Sequence, residues 1–122
     1  MRTAQRIAFS DQTATNVADM GGERSRLQTH FRVYNNGPAH VAGLVWTADF
    51  WANPQTTLAR FQSFGNDAGG GFENWLAVIE VPGLDVSFEY VIFCDDYRGV
   101  QEVPRIYDTN GGETYRIQAS FG

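Results

Sequence analysis

Two short stretches hold the residues of this sequence best suited to chemistry. Trp51 lies between TADF and ANPQ, and Tyr107 stands at the entrance to DTNGG, residues 108–112. A strand end or a tight turn is a poor place to bury a ring, so both aromatics are candidates for presentation to solvent. An exposed Trp or Tyr offers a rigid apolar face at low entropic cost, because only two side-chain torsions are fixed. Such a face can lie against the C–H side of a sugar ring. The short side chains of Asp108 and Asn110 can then accept from and donate to hydroxyl groups. The residues alone leave a second reading open, in which both rings cap the core.

Covalent and metal chemistry find less support. His30 and His40 are the only histidines, and no HExxH, CxxC, GxSxG or phosphate-binding glycine motif occurs. Asp95 and Asp96 are adjacent, and neighbours on a strand point to opposite faces, which does not build a facing acid/base pair. DTNGGE places oxygens at Asp108 and Asn110 as a calcium loop would, but it lacks the continuing ligands and the bidentate Glu at the twelfth place. A basic-aliphatic-x-aromatic pattern at Arg6–Phe9, the form of a phosphatase-docking motif, is equally the alternation of an edge strand. The expectation is a chain without catalytic residues, metal or cofactor.

The elements that position these residues read as strands. Leu27, Thr29, Phe31 and Val33 share one face of LQTHFRVY, and Leu44 and Trp46 share one in VAGLVWTA. Trp75, Ala77, Ile79 and Val81 do so in WLAVIEV, and Val86, Phe88, Tyr90, Ile92 and Cys94 in VSFEYVIFC. Shorter candidates are QRIAFS, TLARFQ, EVPRIY and TYRIQA. Gly, Pro, Asn and Asp clusters separate them, and no helical stripe persists over three turns. About eight short strands at this spacing predict an all-β antiparallel sandwich. Residues 11–24, polar and ending in GGE, are expected as a long loop or flexible arm.

Composition bounds the rest. A chain of 122 residues suits one domain, and 43% hydrophobic against 19% charged residues suits a folded one. The net charge is −5 with every one of the nine basic residues an Arg. That charge lacks the basic stripe on which phosphate backbones and anionic lipids depend, so neither nucleic acid nor membrane is an expected partner. Cys94 has no partner for an internal disulfide and reads as a small buried hydrophobe. The N-terminus shows no signal-peptide core, which favours a cytoplasmic location. Nine Phe, five Tyr and three Trp exceed what so small a core needs.

The order of features carries a resemblance. VYNNGPAHVAGLVWTADFW (33–51), LARFQ (58–62), FENWLAVIEVPGLDVSFEYVIFC (72–94) and YDTNGGETYRI (107–117) follow one another as in the starch- and glycogen-binding modules of carbohydrate-binding family 21. This group includes the starch-binding domain of glucoamylase and the glycogen-targeting subunits of protein phosphatase 1. The resemblance covers about residues 27–118 and implies a non-catalytic immunoglobulin-like β-sandwich that binds α-glucan: starch, glycogen or maltooligosaccharides. By that likeness Trp51 and Tyr107 form the stacking platform, with Asp108 and Asn110 as polar partners. Phe61 and Phe72 match positions of a second site, and a partner enzyme acting on glucan is implied. The chain departs from the family pattern at Thr109 and Thr114, where the family has Asn, and at Pro38, where an aromatic is sometimes found. Those departures motivate an alternative, a protein-interaction or targeting scaffold of the same fold that has lost or changed its glycan affinity.

Overall fold

The computed structural model describes residues 6–19, 22–34, 40–96 and 105–120. Nine strands run through them: β1 (Arg6–Asp19), β2 (Gly22–Tyr34), β3 (His40–Thr47), β4 (Gln55–Leu58), β5 (Arg60–Asp67), β6 (Gly70–Pro82), β7 (Asp85–Asp96), β8 (Ile106–Asp108) and β9 (Tyr115–Ser120). One antiparallel sheet has the order β1-β2-β6-β5; in the other, β4-β3-β7 continues into β8 and β9, which share the far edge of β7. The two sheets form a β-sandwich. Pro38 lies outside the described residues.

Period-two alternation builds this core. Leu27, Phe31 and Val33 of β2 meet Trp75, Ala77 and Ile79 of β6, and across the sandwich lie Ala42 and Leu44 of β3 with Val86, Phe88, Tyr90, Ile92 and Cys94 of β7. The TLARFQ run is divided between the sheets, with β4 ending at Leu58 and β5 beginning at Arg60. Between them the Ala59 N–H donates to the Ala42 carbonyl at 2.8 Å as the chain crosses.

Residues 11–24 correct the sequence reading. Of these, residues 11–19 and 22–24 are no loop but paired antiparallel strand, in register from Asp11 opposite His30 to Asp19 opposite Gly22. Ile7 and Phe9 still carry the apolar signal, but past the register shift between Phe9 and Asp11 it fades because amides, Gln12 and Asn16, flank Ala14 on the core side of β1. Asn16 Nδ2 donates to Ser25 Oγ and to the Leu84 carbonyl, both at 2.7 Å, and Gln12 Oε1 accepts from the Tyr90 hydroxyl at 2.6 Å. Buried amides with partners cost little, so a strand can face the core without an apolar stripe.

That hydroxyl is the centre of a polar chain, since Tyr90 also accepts from Thr29 Oγ1 at 2.8 Å, and both residues are 0% exposed. Burial is the first cause that pushes the Tyr90 hydroxyl up to about 12. Tyr90→Phe keeps the ring but strands the Thr29 donor. A loss of about 1–3 kcal/mol is expected, read as a lower melting temperature; an unchanged melting temperature would refute the role given to this chain.

Two large aromatics are buried on the outer faces. Phe93 stands between core residues Ile92 and Cys94 and therefore points outward, yet it is 0% exposed. It lies across Gly43, the residue opposite it on β3, with the Arg105 guanidinium 4.0 Å above the ring. Phe72 repeats the device in the other sheet: it lies across Gly65 under Arg32 at 4.2 Å. Part of the aromatic surplus is thus consumed in glycine-backed, arginine-capped contacts.

Candidate functional site

Trp51 sits in a strained turn at the end of β3. The Asp49 carbonyl accepts the Ala52 N–H at 3.2 Å, and the two residues between, Phe50 and Trp51, have φ of 58° and 68°. Positive φ at both central positions is the mirror-image turn that normally calls for Asn-Gly. For an L-residue the left-handed region costs roughly 1–2 kcal/mol, so two bulky aromatics there must be held by their surroundings. Thr47, 1% exposed, accepts the N–H of Asp49 at 3.1 Å and of Trp51 at 3.0 Å through Oγ1. Its hydroxyl donates to Asp49 Oδ1 at 2.6 Å, and Asn53 donates its N–H and Nδ2 to the same carboxylate at 3.1 and 3.0 Å. The Thr47 hydroxyl first, then Asn53, holds the Asp49 carboxyl below its ordinary range.

Tyr107 lies on β8 directly opposite Phe93 and is 53% exposed. Residues 109–114 are not the reversal of a hairpin. β8 and β9 run the same way along β7, with Asp108 opposite Ile92 and Tyr115 opposite Tyr90, so the segment loops out of an edge strand against Val91. Its neck is closed by the Thr109 carbonyl, which accepts the N–H of Gly112 at 3.1 Å and of Thr114 at 2.9 Å. Asn110 takes a φ of 55° and donates Nδ2 to the Thr114 carbonyl at 2.9 Å.

Glu89 joins the two loops. It lies between core residues Phe88 and Tyr90, hence on the outer face, opposite Thr47 on one side and Arg116 on the other. Its Oε2 accepts the Trp51 indole N–H at 3.0 Å and the Thr114 hydroxyl at 3.1 Å, and Arg116 Nε stands 3.6 Å away. The indole, half-buried at 51, and the phenol at 107 are therefore approached from the same outer face of this sheet. Val91 lies between them on β7.

The other expected site residues are placed as follows. Asp108 shares the register position of core residue Ile92; its carboxylate accepts the Tyr115 hydroxyl at 2.7 Å and the Asn110 N–H at 3.1 Å. It organises the loop. Burial first, then this bond to Asp108, pushes the Tyr115 hydroxyl well above its ordinary range. Asn110 is exposed, and its Oδ1 remains an acceptor after Nδ2 is used. Phe61 and Phe72 are not brought together. Phe61 is opposite Trp75 on the core side and is 44% exposed, whereas Phe72 is 8% exposed beneath Arg32 on the outer side.

Sequence reasoning missed Phe50, Glu89 and Arg116. A signal for Glu89 was present: it is the one charged residue, at an outward position, inside the VSFEYVIFC run. Among the described residues no group of three or more His, Cys, Asp or Glu could hold a metal ion.

No family model matches the chain, and no curated protein gives a significant match. Among solved structures, the chain is similar to the carbohydrate binding module of the muscle glycogen-targeting subunit of Protein Phosphatase-1. The TM-score is 0.56 and the identity 13%, over 93% of this chain and 76% of that one. At that identity the likeness is one of fold.

Proposed function

Taking that shared fold as premise, we propose that the chain is a non-catalytic carbohydrate-binding module that takes α-glucan across the outer face of the β3-β7-β8/β9 sheet. The observation that carries the reading is the Glu89 carboxylate, which fastens the Trp51 turn and the 109–114 loop, far apart in sequence, to one wall. Trp51 and Tyr107 stack on pyranose faces, and Asn110 binds hydroxyls from the loop that Asp108 holds. Support comes from the fold neighbour, itself a module of a glycogen-targeting subunit, and from the strain stored at Trp51. Strain of this kind persists where the side chain it presents is used. Thr114, which departs from the family pattern, finds a use as a donor to Glu89.

Stacking on so open a surface gives a dissociation constant of roughly micromolar to millimolar, about 4–8 kcal/mol. The chain is expected to be retained on insoluble starch and glycogen but not on cellulose, with a saturable change in tryptophan fluorescence on adding maltoheptaose. No retention and no fluorescence change would reject the reading. A second reading, a protein-interaction scaffold, is favoured by Leu58, Phe61 and Phe64, exposed at 61%, 44% and 72% along the sheet edges, with the two rings 4.8 Å apart. It predicts that fluorescence is indifferent to maltoheptaose.

A further inference from the structure

Phe50 is the most exposed large hydrophobic residue among those described, at 82%. It is held in the left-handed region, where an Asn or Gly would be more stable. Its ring lines one side of a groove of about 280 Å³ whose floor is formed by the outward residues of β7 and β9: Ser87, Glu89, Arg116 and Gln118. Glu89 belongs to this groove and also receives the Trp51 indole N–H, so the groove begins where the Trp51 platform ends.

Resting on the α-glucan reading of that platform, we infer that the Phe50 groove is a further subsite that receives the next pyranose units of the same glucan chain. The chemistry is that of a neutral sugar: one apolar ring for the C–H face, and donors and acceptors together for the hydroxyls. Arg116 projects with 71% of its side chain exposed beside Glu89. Ser87 donates to Gln118 Oε1, which holds the Gln118 amide in place in the groove. The carboxylate beside Arg116 offsets its charge, so the groove does not single out anions.

Length supports a continuous track. From Ser87 to Phe93, opposite Tyr107, β7 spans about 20 Å at the rise of an extended strand. A single pyranose cannot bridge that distance; an oligosaccharide can. The subsite therefore converts glucan length into affinity.

The test is a titration of the whole chain and its Phe50→Ala variant with maltotriose and maltoheptaose, followed by calorimetry. In the unmodified chain maltoheptaose is expected to bind more tightly than maltotriose. Phe50→Ala should lower maltoheptaose affinity by roughly tenfold, the factor of one aromatic face, and leave maltotriose affinity unchanged. Phe50→Tyr should restore the length dependence. The same ratio of the two affinities in the unmodified chain and Phe50→Ala would overturn the subsite while leaving the platform standing. If neither sugar binds the unmodified chain, the platform and the subsite fail together. Because Phe50 is exposed, Phe50→Ala should melt at the temperature of the unmodified chain, and Phe50→Tyr controls for any that does not.

Discussion

Replacing Trp51 by Ala is expected to weaken the proposed α-glucan binding by roughly 30-fold while the protein stays folded. The indole face removed is worth about 2 kcal/mol against a sugar, combining apolar burial with the geometry of a stacked ring. The fold survives because Glu89 keeps the Thr114 hydroxyl and its neighbour Arg116, and because Thr47, Asp49 and Asn53 bind backbone that the substitution does not touch. Trp51→Gly separates binding from stability. With φ at 68°, glycine relieves a left-handed cost of roughly 1–2 kcal/mol. Trp51→Gly should thus melt at or above the temperature of Trp51→Ala while binding as poorly. Titration with maltoheptaose and thermal unfolding read both quantities, and undiminished affinity in either variant would remove Trp51 from the site.

The largest loss of stability is expected from Gly43→Ala. A Cβ at this position would lie 2.4 Å from the Thr57 carbonyl oxygen and 3.0 Å from the Phe93 ring. The first contact is with paired backbone of β4 and cannot be relieved by turning a side chain. The second pushes Phe93 out from under Arg105. Overpacking that forces backbone apart in a central strand costs about 3 kcal/mol or more, roughly 10 °C in melting temperature for a chain of this size. The displacement also falls beneath the face that carries Tyr107, so the proposed glucan affinity should drop with it. A variant that melts within a degree or two of the unmodified chain would show that the Phe93 contact is not needed.

The strand pattern was legible because it depends on neighbours two residues apart. Val86, Phe88, Tyr90, Ile92 and Cys94 reveal one buried face whatever pairs with them, and the all-β class follows. The strand character of residues 11–19 and 22–24 was illegible for the opposite reason: Gln12 and Asn16 face the core as amides, and what satisfies them is Ser25 on the paired strand and, remote in sequence, Tyr90 and the Leu84 carbonyl. The sequence counts seventeen aromatics but does not show that Phe72 and Phe93 are consumed against Gly65 and Gly43, because those pairs are set by strand register.

The same division holds at the site. That Trp51 and Tyr107 stand at chain turns, and that Asp108 and Asn110 accompany a tight loop, could be read from residue order, since turn chemistry is local. Only the tertiary structure decided that the loop leaves an edge strand instead of reversing it, that Asp108 is used internally, and that Glu89 ties both segments to one wall. Those facts depend on register between strands, where a shift of one residue would turn Glu89 into the core and separate the two rings. Sequence periodicity determines which face of each strand is apolar; pairing and register determine which outward residues meet.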